Sequence, residues 1–444
     1  MSTDAVTGGA TALMPEAAAA EFLQSLSTPA HILVAVSGGS DSTGLLIALD
    51  EQLKSHSYRD ITLSAATIDH GLRAAAADEA REVAALCALR GISHFICRWE
   101  GEKPKAGIMA AAREARYELL ADLAEEISAN LIVTAHTMDD QRETMVMRGK
   151  RRLEDVDGIG TGIADAVLFD RRSWIVRPFL ACRRMDIRTY LEMHGISWLD
   201  DPSNEDSRYE RVRTRMELGT DPPSSSPPGN GGSGRAVLSA KAARWLDDHV
   251  TIHANALCAI DRSGLSADKA VVAYVLSYLA AVFGGRPYAP GRVQMERVLE
   301  FVNGADSGRR TAGGVVFDLR RDGLYLMRES RNIARLSVPS GEKGNWDGRF
   351  EISNSGRTPI SVRAAGTENA TFFPPNLPKG AVRRATAAMP LIVTEAGIKA
   401  GSIAVMPRLA PFDRFLTRFD LTFADRLSIA FGREAYMRPP LSVL

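Results

Sequence analysis

Val34-Ala35-Val36-Ser37-Gly38-Gly39-Ser40-Asp41-Ser42 decides the fold of this chain. The apolar run from His31 to Val36 leads into it and Thr43-Gly44-Leu45-Leu46-Ile47-Ala48-Leu49 leads out, so the stretch reads as strand, tight loop and the start of a helix over roughly 42–54. Such a loop is an anion site. Two adjacent glycines, Gly38 and Gly39, let backbone approach a phosphate, and the first helical turn offers unpaired N–H groups and the positive end of its dipole. Ser37, Ser40 and Ser42 add hydroxyl donors. Asp41 is the acidic group of the loop, and a lone carboxylate repels a phosphate, so it reads as the ligand of a Mg2+ ion between the two. The lysine and the spacing of the G-x-x-x-x-G-K-[ST] phosphate loop are missing, which disfavours that class. A plain Ser/Gly turn with a helix cap is the structural alternative.

The chain beyond the loop alternates. A strand over Ile61 to Ile68 ends in Asp69-His70-Gly71-Leu72-Arg73; a helix of about 75–90 closes at Gly91; a third strand covers Ser93 to Arg98. A long helix of about 106–128 follows, then a strand, Asn130 to Ala135, that delivers His136. Four strands separated by helices predict a parallel sheet covered on both faces, with ligands beyond the carboxyl ends of the strands. The loop 37–42, Asp69, His70 and His136 are therefore expected to converge. Ser173 to Val176 reads as a fifth strand, with Arg177-Pro178-Phe179 and a helix through Arg183 to His194 after it.

Two helical segments carry candidate chemistry. In His136-Thr137-Met138-Asp139-Asp140-Gln141-Arg142-Glu143-Thr144, helical spacing puts His136 near Asp140 and Asp139 near Glu143. Acidic residues in a first helical turn also have an ordinary explanation in the helix dipole. Arg113, Arg116 and Tyr117 fall three and four apart on one helix, which is either a solvated face or an arginine reaching a phosphate whose charge grows in the transition state. Arg148, Lys150, Arg151 and Arg152 form one basic cluster and Arg208, Arg211, Arg213 and Arg215 another; each is either a solvated patch or a contact for nucleic-acid phosphates.

Composition bounds the rest. At 444 residues the chain is too long for one core. Its apolar fraction of 45% and charged fraction of 24% are those of a soluble globular protein, and a net charge of zero makes any nucleic-acid site a local patch. Cys87, Cys97, Cys182 and Cys258 lie far apart without a C-x-x-C, which reads as reduced thiols in a cytoplasmic protein rather than a metal site. Neither a signal segment nor a membrane span is legible. The domains expected are a disordered or helical N-terminus over 1–24, a catalytic domain over 25–218, a Pro/Gly/Ser linker over 219–235, a mainly helical domain over 236–330 with a hairpin at 315–319 and 323–327, and a small α+β domain over 331–444.

Ser37-Gly38-Gly39-Ser40-Asp41-Ser42 after a strand resembles the loop of the N-type ATP pyrophosphatases (the PP-loop, or adenine nucleotide alpha hydrolase-like, fold), which split ATP into AMP and pyrophosphate while adenylating a substrate oxygen. Together with Asp69-His70-Gly71-Leu72-Arg73, Ala112-Arg113-Glu114-Ala115-Arg116-Tyr117, the His136 to Thr144 segment, Arg177-Pro178-Phe179, Asp200-Asp201-Pro202-Ser203-Asn204 and Arg211-Val212-Arg213-Thr214-Arg215, it is similar, in order, to the tRNA(Ile)-lysidine synthase family over about 25–217. The resemblance implies an α/β enzyme that uses ATP and Mg2+ to adenylate C2 of the wobble cytidine of CAU-anticodon tRNA(Ile), after which free L-lysine displaces AMP. By motif position it implies that Ser37 to Ser42 hold pyrophosphate with Asp41 on Mg2+, that Asp69 and His70 border the nucleotide, that Arg116 and Arg113 work at the reacting phosphate, and that Asp140 docks the lysine amine with His136 beside it. A homodimer counts among the assemblies it allows. Two segments depart from the family pattern: Met147 to Asp155 stands where an Arg-Gly-Ser-Gly loop is usual, and Arg211-Val212-Arg213-Thr214-Arg215 replaces Arg-Asn-Arg-Ile-Arg. The rivals are a sulfur-transferase of the same superfamily, disfavoured by the missing C-x-x-C, an amidotransferase-type ligase without its glutaminase region, and an RNA-binding module that has lost catalysis.

Overall fold

The computed structural model describes residues 12–56, 58–71, 76–104, 106–150, 162–200, 210–219, 231–304, 306–367, 373–393 and 402–441. They fall into two compact units, one of the residues up to Gly232 with those from Met437 onward, the other of Ser233–Tyr436.

The first unit is built on a sheet. Its strands are β1 (Ala30–Ala35), β2 (Ile61–Asp69), β3 (Ser93–Arg98), β4 (Leu131–Val133), β5 (Ala166–Phe169) and β6 (Ser173–Val176), paired in the order β5-β6-β4-β1-β2-β3. All these pairings are parallel except β5 with β6. The expected four-stranded parallel core and fifth strand are present, and β5 adds an antiparallel partner. Helices α1 (Pro15–Gln24), α2 (Ser40–Ser55), α3 (Ala76–Arg90), α4 (Ile108–Glu126), α5 (Met138–Lys150), α6 (Arg184–Met193) and α7 (Glu210–Leu218) complete the unit. Burial dictates this arrangement. Leu33, Ile132 and Ile175 of adjacent strands pack with Tyr117, Leu120, Ala121 and Ala124 of α4 in one apolar cluster, and Trp174 is fully buried with its indole N–H donating to the carbonyl of Met437 at 3.1 Å. Helix α6 lies so close to α2 that a Cβ at Gly44 would stand 2.3 Å from Ile187 Cγ2. That contact fixes the approach of α6 to the loop after β1.

In the second unit α8 (Gly231–His249), α9 (Lys269–Gly284) and α10 (Arg292–Asn303) accompany an antiparallel sheet of β7 (Val250–His253), β8 (Leu257–Asp261), β9 (Gly308–Ala312), β10 (Val315–Leu319) and β11 (Gly323–Arg328), in the order β7-β8-β11-β10-β9. The expected hairpin is β10–β11; β7 and β8 lie within a stretch that reads as mostly helical, because four- and five-residue strands carry little periodicity. Helix α8 starts at Gly231, inside the expected linker: its buried face of Leu238, Ala242, Ala243, Trp245 and Leu246 stabilises a helix that extends back over residues of poor propensity. Farther along, β12 (Leu336–Val338), β13 (Lys343–Trp346), β14 (Phe350–Asn354), β15 (Ile360–Ala364), α11 (Lys379–Ala387), β16 (Pro390–Val393) and β17 (Ile403–Pro407) form two three-stranded sheets around Trp346, Phe350, Ile352 and Val362, before α12 (Ala410–Asp413) and α13 (Leu421–Ala430). None of the described helices is long and apolar enough to cross a membrane.

Candidate active site

The site lies beyond the carboxyl ends of β1, β2 and β4, which run side by side in the first unit. After β1 the chain turns through Gly38 at φ +85°, a conformation that favours glycine, and Gly39 caps α2. Ser42 organises the turn: its Oγ accepts from the Ser37 N–H at 3.1 Å and donates to the Gly39 carbonyl at 3.2 Å. Thr43 Oγ1 donates to the Gly38 carbonyl at 3.1 Å, and the same oxygen accepts from the Leu199 N–H at 2.9 Å. A loop tied down this way is preorganised for an anion at the helix N-terminus.

Asp41 does not point into open space. Its Oδ2 accepts from Arg184 Nε at 2.9 Å, and its Oδ1 accepts from Ser40 Oγ at 3.3 Å. Arg184 opens α6, a residue the sequence reading did not single out. Its Nη2 lies 3.4 Å from Asp140 Oδ1, its Nη1 lies 3.8 Å from Glu143 Oε1, and its backbone N–H donates to Asp139 Oδ2 at 2.8 Å. Three acidic residues thus meet one guanidinium, and a fourth holds the backbone N–H of the same residue. Burial raises the Asp41 carboxyl above its ordinary range; Arg184 opposes that shift, and the neighbouring charges of Asp140 and Asp139 add to it. Burial disfavours the charge on Arg184, yet Asp41 and Asp140 outweigh it and leave the guanidinium more basic than usual.

Asp140 has a second task. Its Oδ2 accepts from the Thr137 N–H at 2.8 Å and from Thr137 Oγ1 at 3.0 Å, closing the start of α5 as a reciprocal cap with the Asp140 N–H on Thr137 Oγ1 at 3.4 Å. His136, expected beside Asp140, has Nδ1 3.0 Å from Thr134 Oγ1. Glu143, weighed at the sequence level mainly as a dipole partner, is 2% exposed, and its Oε1 accepts from Arg215 Nε of α7 at 2.7 Å. Residue types alone hid this pairing, since its partners come from α6 and α7.

At the end of β2, Asp69 Oδ1 accepts from the Gly71 N–H at 2.7 Å, and the His70 ring meets Trp99 edge-on at 6.1 Å between centroids. His70 Nδ1 is buried with no hydrogen-bond partner among the described residues. Burial, with help from the Arg116 charge, lowers its basicity. On α4, Tyr117 is buried rather than part of a solvated face, Arg116 is partly buried and Arg113 is exposed, its guanidinium 5.2 Å from the Tyr117 ring centroid. Burial alone would raise the Tyr117 phenol, but Arg113, Arg177 and Arg116, with a hydrogen bond from Arg177, hold it below its usual value. Three arginines around one phenol make this corner strongly positive. The two poles, acidic at Asp41, Asp140 and Glu143 and basic at Arg113, Arg116 and Arg177, lie in one unit on elements flanking the loop. Leu72, Arg73, residues 151–155, Asp201 to Asn204 and Arg208 lie outside the described residues, as do the side chains of Arg148, Lys150 and Arg211.

The PP-loop domain family matches residues 14–221. A tRNA(Ile)-lysidine synthase from Rhizobium meliloti (strain 1021) is 41% identical over 437 residues, covering 95% of this chain and 96% of that protein. The chain belongs to the tRNA(Ile)-lysidine synthase family. A second member, from Mesorhizobium japonicum, is 36% identical over 92% of this chain and 94% of its own length. Membership makes residues 14–221 an ATP-binding PP-loop domain and the chain an α/β ligase, and the similarity to lysidine synthases runs through both units.

Proposed function

We propose that this lysidine synthase family member joins the side-chain amine of free lysine to C2 of the wobble cytidine in CAU-anticodon tRNA(Ile), at the expense of ATP, shifting the codon read from AUG to AUA. The observation that carries the reading is the meeting of the loop carboxylate Asp41 with Asp140 and Glu143 around Arg184, a cluster of carboxylates suited to an amine beside a loop suited to phosphate.

Two steps follow from the chemistry. The C2 oxygen of the base attacks the α-phosphorus of ATP, the bond to pyrophosphate breaks, and the oxygen becomes part of an AMP leaving group. The amine then attacks C2, loses a proton, and AMP departs with that oxygen. Ser37, Gly38, Gly39, Ser40 and Ser42 hold the pyrophosphate through backbone N–H and hydroxyl groups, while Arg116 and Arg113 stabilise the charge that builds on the α-phosphate. Asp69 and His70 border the nucleotide, and the unpartnered His70 Nδ1 suits a hydrogen-bonding ligand. An ammonium is not a nucleophile: Asp140 docks it and His136 takes its proton. A Mg2+ ion would sit on Asp41. The fit is chemical: Asp41 Oδ2 is held by Arg184, while Oδ1 takes a long 3.3 Å contact from Ser40 Oγ, and that hard oxygen beside a loop for phosphate oxygens is a donor that magnesium would complete with phosphates and water. When bound it neutralises phosphate charge. Arg213 and Arg215, with the basic residues outside the described set, supply contacts to tRNA phosphates, and the reaction belongs in the cytoplasm.

ATP–pyrophosphate exchange tests this reading. Exchange that requires CAU-anticodon tRNA(Ile) supports adenylation of the base; exchange that proceeds equally without RNA removes the tRNA from the first step.

A further inference from the structure

Arg184 joins the two halves of the site unequally. On the nucleotide side its Nε makes a 2.9 Å ion pair with Asp41; on the amine side its two terminal nitrogens stand 3.4 Å from Asp140 Oδ1 and 3.8 Å from Glu143 Oε1, an oxygen that Arg215 Nε holds at 2.7 Å. A charge-assisted hydrogen bond settles at about 2.7–2.9 Å, so the first contact is a full bond and the other two are loose. The backbone end of Arg184 cannot relax to shorten them. Its N–H is held by Asp139 at 2.8 Å, and Ile187, one turn along α6, is pressed against Gly44 of α2. Arg188, the next turn on the same face, has its Nε 3.4 Å from Ser40 Oγ, a contact as long as that of Arg184 with Asp140. The other oxygen of Asp140 serves the helix cap, so Oδ1 is the one turned towards a cation.

We propose that Arg184 is a placeholder counter-ion and a specificity-determining residue for the amine step: anchored on Asp41, it covers Asp140 Oδ1 loosely while lysine is absent and yields that oxygen to the substrate ammonium, whereas Glu143 stays paired with Arg215. A compact ammonium makes a short bond where the tethered guanidinium makes a long one, so the exchange favours the substrate. A neutral nucleophile brings no charge to replace the guanidinium and leaves it in place. Arg184 therefore competes with the ammonium it prepares for, and its removal strengthens lysine binding. A purely scaffolding arginine, or one that grips the carboxylate of lysine, gives the opposite sign.

The inference rests on the proposed lysine-transfer reaction, and steady-state lysine incorporation into CAU-anticodon tRNA(Ile) tests both separately. Arg184→Gln is expected to lower the KM for lysine about threefold or more, a size at the low end of what one net hydrogen bond contributes, with the KM for ATP unchanged or raised. Arg184→Lys, whose single ammonium stays with Asp41, is expected to lower it in the same direction by less. A lysine KM that is unchanged or raised in an Arg184→Gln protein with a wild-type urea unfolding midpoint overturns the proposal; if that variant does not fold, an unchanged or raised lysine KM in Arg184→Lys overturns it. Failure of the wild-type chain to transfer lysine at all refutes the reaction instead.

Discussion

Gly38→Ala is the sharpest perturbation of the phosphate loop, and its cost can be worked from two independent sources. The residue sits at φ +85°, where an L side chain loses about 1–2 kcal/mol. The added Cβ would also stand 2.6 Å from Leu199 Cδ1 and 3.3 Å from Val83 Cγ2, and overpacking of this kind costs about 1–3 kcal/mol. The sum, about 2–5 kcal/mol, is a large part of the stability of a typical domain. Leu199 is also tied to the loop by its N–H on the Gly38 carbonyl at 2.9 Å, so a side chain that pushes Leu199 away shifts the backbone that faces the phosphate. Urea unfolding should show the loss, and ATP-dependent pyrophosphate exchange should show a raised KM for ATP. A double-mutant cycle with Leu199→Ala separates the causes: the clash portion disappears in the double variant and the backbone portion stays. A Gly38→Ala protein within about 0.5 kcal/mol of wild type, well inside the smallest sum of these terms, would refute the reasoning.

Other consequences follow from particular contacts. Asp140→Ala removes the cap on α5 and is expected to destabilise by about 1–2 kcal/mol in urea, whereas Asp140→Asn keeps an acceptor for Thr137 and loses less; both abolish lysine transfer, so equal stability of Asp140→Ala and wild type would contradict the capping geometry. His70 has a folded-state pKa held below 6.5 by burial and by Arg116, so the unfolded chain takes up the proton first, and stability present above pH 6.5 falls as the pH drops towards the folded value; His70→Gln should flatten that part of the acid limb of unfolding curves. In the second unit Asp420→Ala strips Arg235 Nε (2.8 Å) and the buried Tyr274 hydroxyl (2.6 Å) of their shared carboxylate oxygen, and should cost about 3–5 kcal/mol by urea unfolding, with Asp420→Asn milder.

The parallel sheet was legible because each signal is local. Apolar strands, a glycine pair and a helix start lie within twenty residues of one another in the β1 loop, and α2 at Ser40–Ser55, α3 at Ala76–Arg90 and β3 at Ser93–Arg98 lie where periodicity and caps put them. The same locality explains what stayed hidden. Arg184 reaches Asp41 across 143 positions of sequence and Arg215 reaches Glu143 across 72, and no spacing rule relates residues so far apart. Asp140 was singled out by its helical spacing from His136, and its bond to Thr137 makes it a helix cap; the Thr137-x-x-Asp140 pattern, a variant of the capping box, carried that signal. Tyr117 read as one face of an arginine-bearing helix and is a core residue packed at 5.8 Å from Phe169, because β5 supplies its neighbour from beyond α5. In the second unit, strands of three to five residues such as β12 and β14 are pinned by partners far along the chain, and the sequence pattern of each is too short to tell strand from turn.

Incorporation of radiolabelled lysine into CAU-anticodon tRNA(Ile), with ATP and Mg2+ present, tests the central claim most directly. The account predicts labelling by the wild-type chain and its loss in both Asp41→Asn and Asp140→Ala. ATP cleaved in the presence of that tRNA without any lysine attached to it would contradict the account, leaving the adenylating loop in place and assigning the second step to a different nucleophile.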